Sequence, residues 1–392
     1  PQGGDDRRNL WQELQKGTID LLIFSICNPL RMQQQTTQLK QFVDKVPFIV
    51  DMNIRPSDTS AVADVVLPAA AWGEYTYTRE NLERRLRVNQ QFYDPPGEVR
   101  AEYLIFTSIA QRLASRHGLI DPAEWQFSKW EDVFNAMRQT NEGVKIGLGA
   151  ISPEELTKLG TNGIQEPITR QGNTLTGTER MYTDKFATPT GKANFVPIDY
   201  QWTSADPLAF LPEPVKPNAQ YPFFLTTIRY QTMWQSGYTY RWTHDLANHS
   251  TPFQEFMVNP KDAKKAGLKD GDWAEVSNQF SRAEGVVNVT TEVPPGVISA
   301  LFGWQGPNDS SPNGNPQYYP NNLVAGGAEA QQKSNGAFYK NARAALKKLK
   351  RAPKTAKNAP GLSEKDRVGR FKGQGEAGNP DSKAKNFVSV QV

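Results

Sequence analysis

Three apolar runs end in side chains that could hold a polar ligand. LLIFSI leads into Cys27, Asn28 and Pro29, PFIV leads into Asp51, Met52 and Asn53, and VVL stops at Pro68. Near-continuous apolar runs of this length read as strands of a parallel sheet, whose polar carboxyl ends are where open α/β sheets bind ligands. At those ends a carboxylate such as Asp51 can accept from N–H donors, and the amides of Asn28 and Asn53 can donate or accept. Each has a plainer reading. Asn28 can simply shape the turn before Pro29, Asp64 stands before a strand where acids usually serve as turn or cap residues, and Glu102 in the first turn of a helix favours the helix dipole. Glu83, Arg84, Arg85 and Arg87 could clamp phosphates, but mixed charges in so short a span usually pair with each other, and the structural reading is preferred for most of them.

Composition narrows the chemistry further. A single cysteine, Cys27, can form neither an internal disulfide nor a cysteine-ligated cluster, which needs three or four thiolates. His117, His244 and His249 have no metal-ligand spacing with a cysteine or an acid, and Ser-His-Asp sets, P-loops and zinc motifs are absent from the sequence. Hydrophobic content of 38% suffices for true cores, while no run of 18 apolar residues is present to span a membrane. Beyond residue 340 there are 13 Lys and Arg against 4 Asp and Glu, whereas residues 1–340 carry 32 against 37. The end is therefore a basic, Lys-, Pro- and Gly-rich tail, read as a solvated extension rather than a nucleic-acid-binding segment.

The elements that must position these residues follow in order. A short helix near residues 10–14, a strand over 18–26, a Gln-rich amphipathic helix over 32–43 and the strand ending at Asp51 make a βαβ unit. A long helix is expected over 101–116, with Tyr103, Leu104, Phe106, Ile109 and Leu113 on its apolar side. Further helices are expected over 128–140 and 153–160, the second with a capping SPEE start. Residues 206–220, with four prolines, read as a linker, and short β-rich runs between Gly, Pro and Asp turns beyond it read as a closed barrel. The expected organisation is an α/β doubly wound parallel-sheet domain, present in part, over 1–150, a connecting region over 151–220, a β-barrel over 221–345 and a flexible tail over 346–392.

ADVVLPAAAWGE, the N-x-E-R-R and D-P-P-G-E strings, LGTNGIQEP and VNPKDAKKAGLKDGDWAEVSN together resemble the molybdopterin oxidoreductases that carry a bis-guanine-dinucleotide molybdenum cofactor. ERRLR and WQSGY are most similar to the arsenite oxidase and iodate reductase branch. The resemblance implies that the chain is the carboxyl-terminal part of a catalytic subunit, starting in the middle of a longer protein, with a double-psi-like barrel. It implies guanine contacts at Asn28, at Asn53 or Asp51, and at Glu102. It also implies a ligand loop of Thr227, Ile228, Arg229, Tyr230, Gln231, Trp234, Gln235 and Ser236, with closing contacts from Asn322 and Lys340. Two departures stand out: Asn53 replaces an acid, and Ile228 replaces a Gly that elsewhere lets backbone amides approach a pyrophosphate. Arg229 remains to pair with phosphate. The wider implication is a periplasmic enzyme acting on a small oxyanion. An iron-sulfur cluster would lie in the missing amino-terminal part, and electrons would pass to a Rieske-type small subunit and a cytochrome or similar carrier. Catalytic residues are expected upstream of residue 1. The rival expectation is a non-catalytic module that keeps the fold and binds a partner through its tail.

Overall fold

The computed structural model describes residues 7–118, 120–195, 215–229, 254–303, 320–325 and 339–350. Internal contacts divide the chain into two compact units, one of Pro1–Leu67 with Ser204–Ser389 and one of Pro68–Thr203 with Val390–Val392. This division differs from the expected 1–150 domain, because the first strands and the barrel pack together while the sequence between them builds a core of its own.

In the first unit, helix α1 (Arg7–Lys16) precedes a sheet of β1 (Leu21–Ser25), β2 (Phe48–Asn53) and β3 (Val65–Pro68), in the order β1-β2-β3. β1 runs parallel to β2, with Leu21 opposite Phe48 and Ser25 opposite Met52. The central strand β2 is buried from Ile49 to Asn53, whereas the edge strand β1 is only partly covered. Leu14, Leu39, Val43, Ile49 and Val62 form the core beneath it.

The Gln-rich segment is not one helix. It divides into α2 (Pro29–Met32) and α3 (Thr36–Val43), with Gln35 in the left-handed region at φ 45°. In a continuous helix the carbonyls of Arg31 and Met32 would accept from the amides of residues 35 and 36. Here the Asn321 side chain donates to both carbonyls, at 3.3 and 2.8 Å, and the Gln35 amide turns to the Asn321 carbonyl. A residue almost 300 positions away therefore decides where the helix breaks.

The same unit contains a closed barrel of β9 (Phe223–Ile228), β10 (Glu255–Val258), β11 (Trp273–Ser277), β12 (Arg282–Val289), β13 (Val297–Leu301) and β14 (Ala342–Lys348), in the order β10-β12-β11-β14-β9-β13. The pairs β10–β12 and β13–β9 are parallel and the others antiparallel. Alternating inward residues, including Leu225, Phe256, Val258, Val276, Val287 and Ile298, fill the interior. Gly285 is required by close packing, since a Cβ there would lie 2.4 Å from the Gln254 carbonyl oxygen. β14 runs past residue 345, with Lys347 and Lys348 opposite Glu275 and Ala274, so the barrel includes the first residues assigned above to the tail. Residues 351–392 lie outside the described residues.

The second unit holds the sheet β4 (Tyr77–Arg79), β5 (Arg85–Asn89) and β6 (Ile164–Gln165), the hairpin β7 (Ile168–Gln171) and β8 (Thr174–Gly177), and helices α4 (Glu102–His117) and α5 (Trp130–Gln139). Helix Pro153–Lys158 carries the expected capping box at Ser152 and Glu155. The region expected to be only a connection contributes Ile151, Leu156, Ile164 and Ile168 to one core with Leu86 and Phe134. α4 is rotated from the expected face: Ile105, Thr107, Ala110 and Ala114 are buried, while Phe106 and Leu113 are 36% and 38% exposed. The buried face is thus built around the small side chains of Ala110 and Ala114 rather than the larger Phe106 and Leu113.

Candidate functional site

At the carboxyl ends of β1 and β2 the first unit gathers a buried polar network. The chain leaves β1 through Ile26, whose φ of 42° is a left-handed conformation that a β-branched residue rarely adopts. Asn28 follows, with its amide nitrogen 3.0 Å from Asp58 and its oxygen accepting from Thr59 at 3.1 Å. Asp58 in turn takes the fully buried guanidinium of Arg31 through two bonds, of 3.0 and 2.6 Å. On β2, Asp51 and Asn53 share one face, as period two requires, and Met52 is buried on the other. The Asn53 amide donates to the Cys27 carbonyl at 3.0 Å and to Asp51 at 3.3 Å, and Ser60 donates its hydroxyl to Asp51. Burial pushes the Asp51 carboxyl up to about 6, against the opposing bonds from Ser60 and Asn53. Asp64 caps the edge of β2, accepting from the Ile49 amide at 2.7 Å. Asn28, Asp51 and Asn53 thus come together as expected, but their polar atoms tie the strand ends to one another.

The barrel supplies cations. β9 ends at Ile228, and the exposed Arg229 follows with its guanidinium carbon 5.7 Å from the Phe302 ring centroid. The ammonium of Lys340 donates to the Thr227 carbonyl; burial and the nearby Arg229 charge together lower its pKa. Thr227 is buried and donates both its amide and its hydroxyl to the Tyr339 carbonyl, at 2.9 and 2.8 Å. Asn322 is spent within the fold: its oxygen accepts from the Thr36 hydroxyl at 2.8 Å and the Thr37 amide at 3.1 Å, and its amide donates to the Thr37 hydroxyl. Tyr230, Gln231, Trp234, Gln235 and Ser236 lie outside the described residues.

Glu102 belongs to the second unit, in the first turn of α4. It is half-buried, burial raises its carboxyl, and its charge helps raise the Tyr75 phenol, after the larger effect of burial on that group. Tyr75 stacks on Tyr77 with centroids 5.0 Å apart. The arginines of ERRLR are structural. Arg84 donates to the carbonyls of Glu166, Thr178 and Glu179, while Arg85 and Arg87 donate to those of Asn162 and Thr161.

Lys340 is held on the Thr227 carbonyl, two residues before Arg229, and besides burial the Arg229 charge is near enough to lower its pKa; two such cations at a strand end suit an anion, which relieves their repulsion and accepts from both. Arg229 and Lys340 therefore fit a phosphate-bearing group, and they are the residues of the first unit that would hold it. Arg31, Asp58 and Phe302 did not stand out in the sequence, and an Arg in the short NPLRM turn was the available signal for the first of these. Asn321 lies in the segment 321–324 whose resemblance implies a closing contact, but the structure gives it a bond to the α2–α3 break instead. Among the described residues no group of three or more His, Cys, Asp and Glu could hold a metal ion, and no helix is long and apolar enough to cross a membrane.

Comparison with known proteins agrees with this geometry. The family "Molybdopterin oxidoreductase" matches residues 6–112, and "Molydopterin dinucleotide binding domain" matches residues 223–342. Iodate reductase subunit IdrA of Pseudomonas sp. (strain SCT) is 33% identical over 267 residues, 61% of this chain and 28% of that protein. Arsenite oxidase subunit AioA of Herminiimonas arsenicoxydans is 32% identical over 277 residues, 66% of this chain and 32% of that protein. Relatives named formate dehydrogenase and nitrate reductase match at 28% and 30% identity. Among solved structures, acetylene hydratase from Pelobacter acetylenicus superposes with a TM-score of 0.65 at 20% identity, covering 87% of this chain and 46% of that one, which shows a shared fold. The chain spans about a third of the length of the curated relatives it matches. Two family matches that cover the sheet edge and the barrel, and that include both cations, establish that the chain belongs to the molybdopterin oxidoreductase family.

Proposed function

We propose that this chain is the cofactor-binding, carboxyl-terminal portion of a molybdenum oxidoreductase subunit that oxidises arsenite, with iodate reduction as the second reading. The observation that carries the cofactor assignment is the Arg229–Lys340 pair at the end of β9, inside the matched dinucleotide-binding region. The choice of oxyanion rests on relatives named iodate reductase and arsenite oxidase, at 33% and 32% identity. The barrel is read as double-psi-like and the cofactor as molybdenum bis(molybdopterin guanine dinucleotide). When bound, this group supplies two-electron oxygen-atom transfer.

The chain's own residues bind and orient. Arg229 and Lys340 neutralise phosphate, the sheet-edge network fixes the loops around Asn28 and Asn53, and Glu102 accepts from a guanine edge through its half-buried carboxylate. The remaining parts of the proposal are an iron-sulfur cluster elsewhere in the subunit, a Rieske-type small subunit and cytochrome-like carrier as partners, and a periplasmic location.

The test uses the full-length subunit that contains this chain. Molybdenum and acid-released guanine nucleotide are measured per polypeptide, and turnover is followed with arsenite, iodate, formate and nitrate. Stoichiometric molybdenum with arsenite or iodate turnover is expected. Turnover with formate or nitrate alone overturns the substrate assignment, and absence of guanine nucleotide overturns the cofactor assignment. Arg229→Ala and Glu102→Ala should each lower nucleotide content, since each removes a charge-assisted bond of roughly 1.5–3 kcal/mol.

A further inference from the structure

Arg229 is exposed and stands near a second cation, so repulsion and solvation alone would carry its flexible side chain away from Lys340. What opposes this is the face of Phe302. The guanidinium carbon lies 5.7 Å from the centroid of that ring, inside the range in which a ring's negative face attracts a cation. The ring is itself held. Phe302 is 9% exposed, its amide donates to the Ile228 carbonyl at 2.7 Å, and it meets Tyr339 edge to face at 5.3 Å and 76°. Tyr339 precedes Lys340, and its carbonyl accepts from Thr227. Three chain segments thus converge on one point: the end of β9, the end of β13 and the approach to β14. The residue between Thr227 and Arg229 is Ile228, whose side chain limits close approach of a ligand to the backbone, so recognition of an anion at this point falls to the side-chain cations.

We propose that Phe302 is a positioning residue, whose ring face holds the Arg229 guanidinium beside Lys340 so that the two cations meet an anionic group of the dinucleotide as a preset pair. This rests on the cofactor-binding reading of Arg229 and Lys340 given above. Phe302 does not touch the ligand in this scheme. It acts through Arg229, and its contribution is the order it imposes on a long side chain before binding.

The experiment compares Phe302→Leu, Phe302→Tyr and Arg229→Ala in the full-length holo subunit, together with replacement of Phe302 by pentafluorophenylalanine, which keeps the ring's shape and reverses the charge of its face. Guanine nucleotide retained per polypeptide is measured after gel filtration at low and at high salt, and Tm is measured in parallel. Phe302→Leu and the fluorinated ring should retain about two- to fivefold less nucleotide at high salt than the wild type. Phe302→Tyr should retain it, and Tm should be the same for the fluorinated and native rings. A fluorinated variant that keeps its nucleotide while Arg229→Ala loses it overturns the role of Phe302 and leaves the cation reading standing. An Arg229→Ala variant with unchanged nucleotide overturns the cation reading itself.

Discussion

Asp51 shows how a single residue couples the sheet edge to pH. Its carboxyl is pushed up to about 6 by burial, whereas in an unfolded chain an aspartate titrates near 3.9. Between those values the folded state binds the proton more tightly, so the stability this group contributes is present at pH 4 and is lost as pH rises through 6. The difference between the folded and unfolded values corresponds to roughly 3 kcal/mol. Asp51→Asn keeps an oxygen for Ser60 and Asn53 and removes the charge. Its unfolding free energy in urea should match the wild type near pH 4 and exceed it by about 2–3 kcal/mol at pH 7. An equal difference at the two pH values would mean that the carboxylate is compensated in the fold.

At the scale of elements, two side chains do what backbone usually does. Asn321 donates to the carbonyls of Arg31 and Met32 at the α2–α3 break and accepts from the Gly303 amide at 3.1 Å, joining that break to the end of β13. Asn321→Asp keeps the acceptor and loses both donors, leaving two carbonyls and a carboxylate buried together. Destabilisation of about 2–5 kcal/mol is expected, with faster hydrogen exchange at Gln35 and its neighbours. Arg84 plays the corresponding part in the second unit, where its guanidinium bridges the carbonyls of Glu166, Thr178 and Glu179. Lys has one compact ammonium and cannot span three acceptors. Arg84→Lys should therefore expose the segment 160–179 to limited proteolysis nearly as much as Arg84→Ala does, and full protection in the Lys variant would show that charge alone suffices.

At the scale of the molecule the barrel's closure is decided at its last strand. β14 joins β11 on one side and β9 on the other, and the Leu349 amide donates a hydrogen bond to the Trp273 carbonyl at 2.8 Å. Ending the chain after residue 351 should leave Tm and nucleotide content of the full-length subunit unchanged. Ending it after residue 345 removes the β11 partners Leu346, Lys347 and Lys348, and should open the barrel, lowering Tm by more than about 5 °C and shedding nucleotide. Equal behaviour of the two truncations would place the closing contacts elsewhere. Gly285→Ala tests closure from the opposite side, because its Cβ would meet backbone, and a loss of about 1–3 kcal/mol is expected.

Local pattern was sufficient for much of this. Apolar runs ending in Asn28 and in Asp51–Asn53 announced the strand ends, Ser152 and Glu155 announced a helix start, and turn-spaced β-rich runs announced a barrel, because each depends on residues close in sequence. Tertiary structure decided the rest. The α2–α3 break depends on Asn321, the choice of Ala110 and Ala114 over Phe106 and Leu113 for the buried face of α4 depends on what covers that helix, and the roles of Arg84, Arg85 and Arg87 depend on carbonyls some 74–95 residues away. The pairing of Arg229 with Phe302 and Lys340 is of the same kind. Sequence shows which side chains can carry charge or donate a bond. Which of them meet is set by barrel closure and strand register, and those bring together residues that no local period relates.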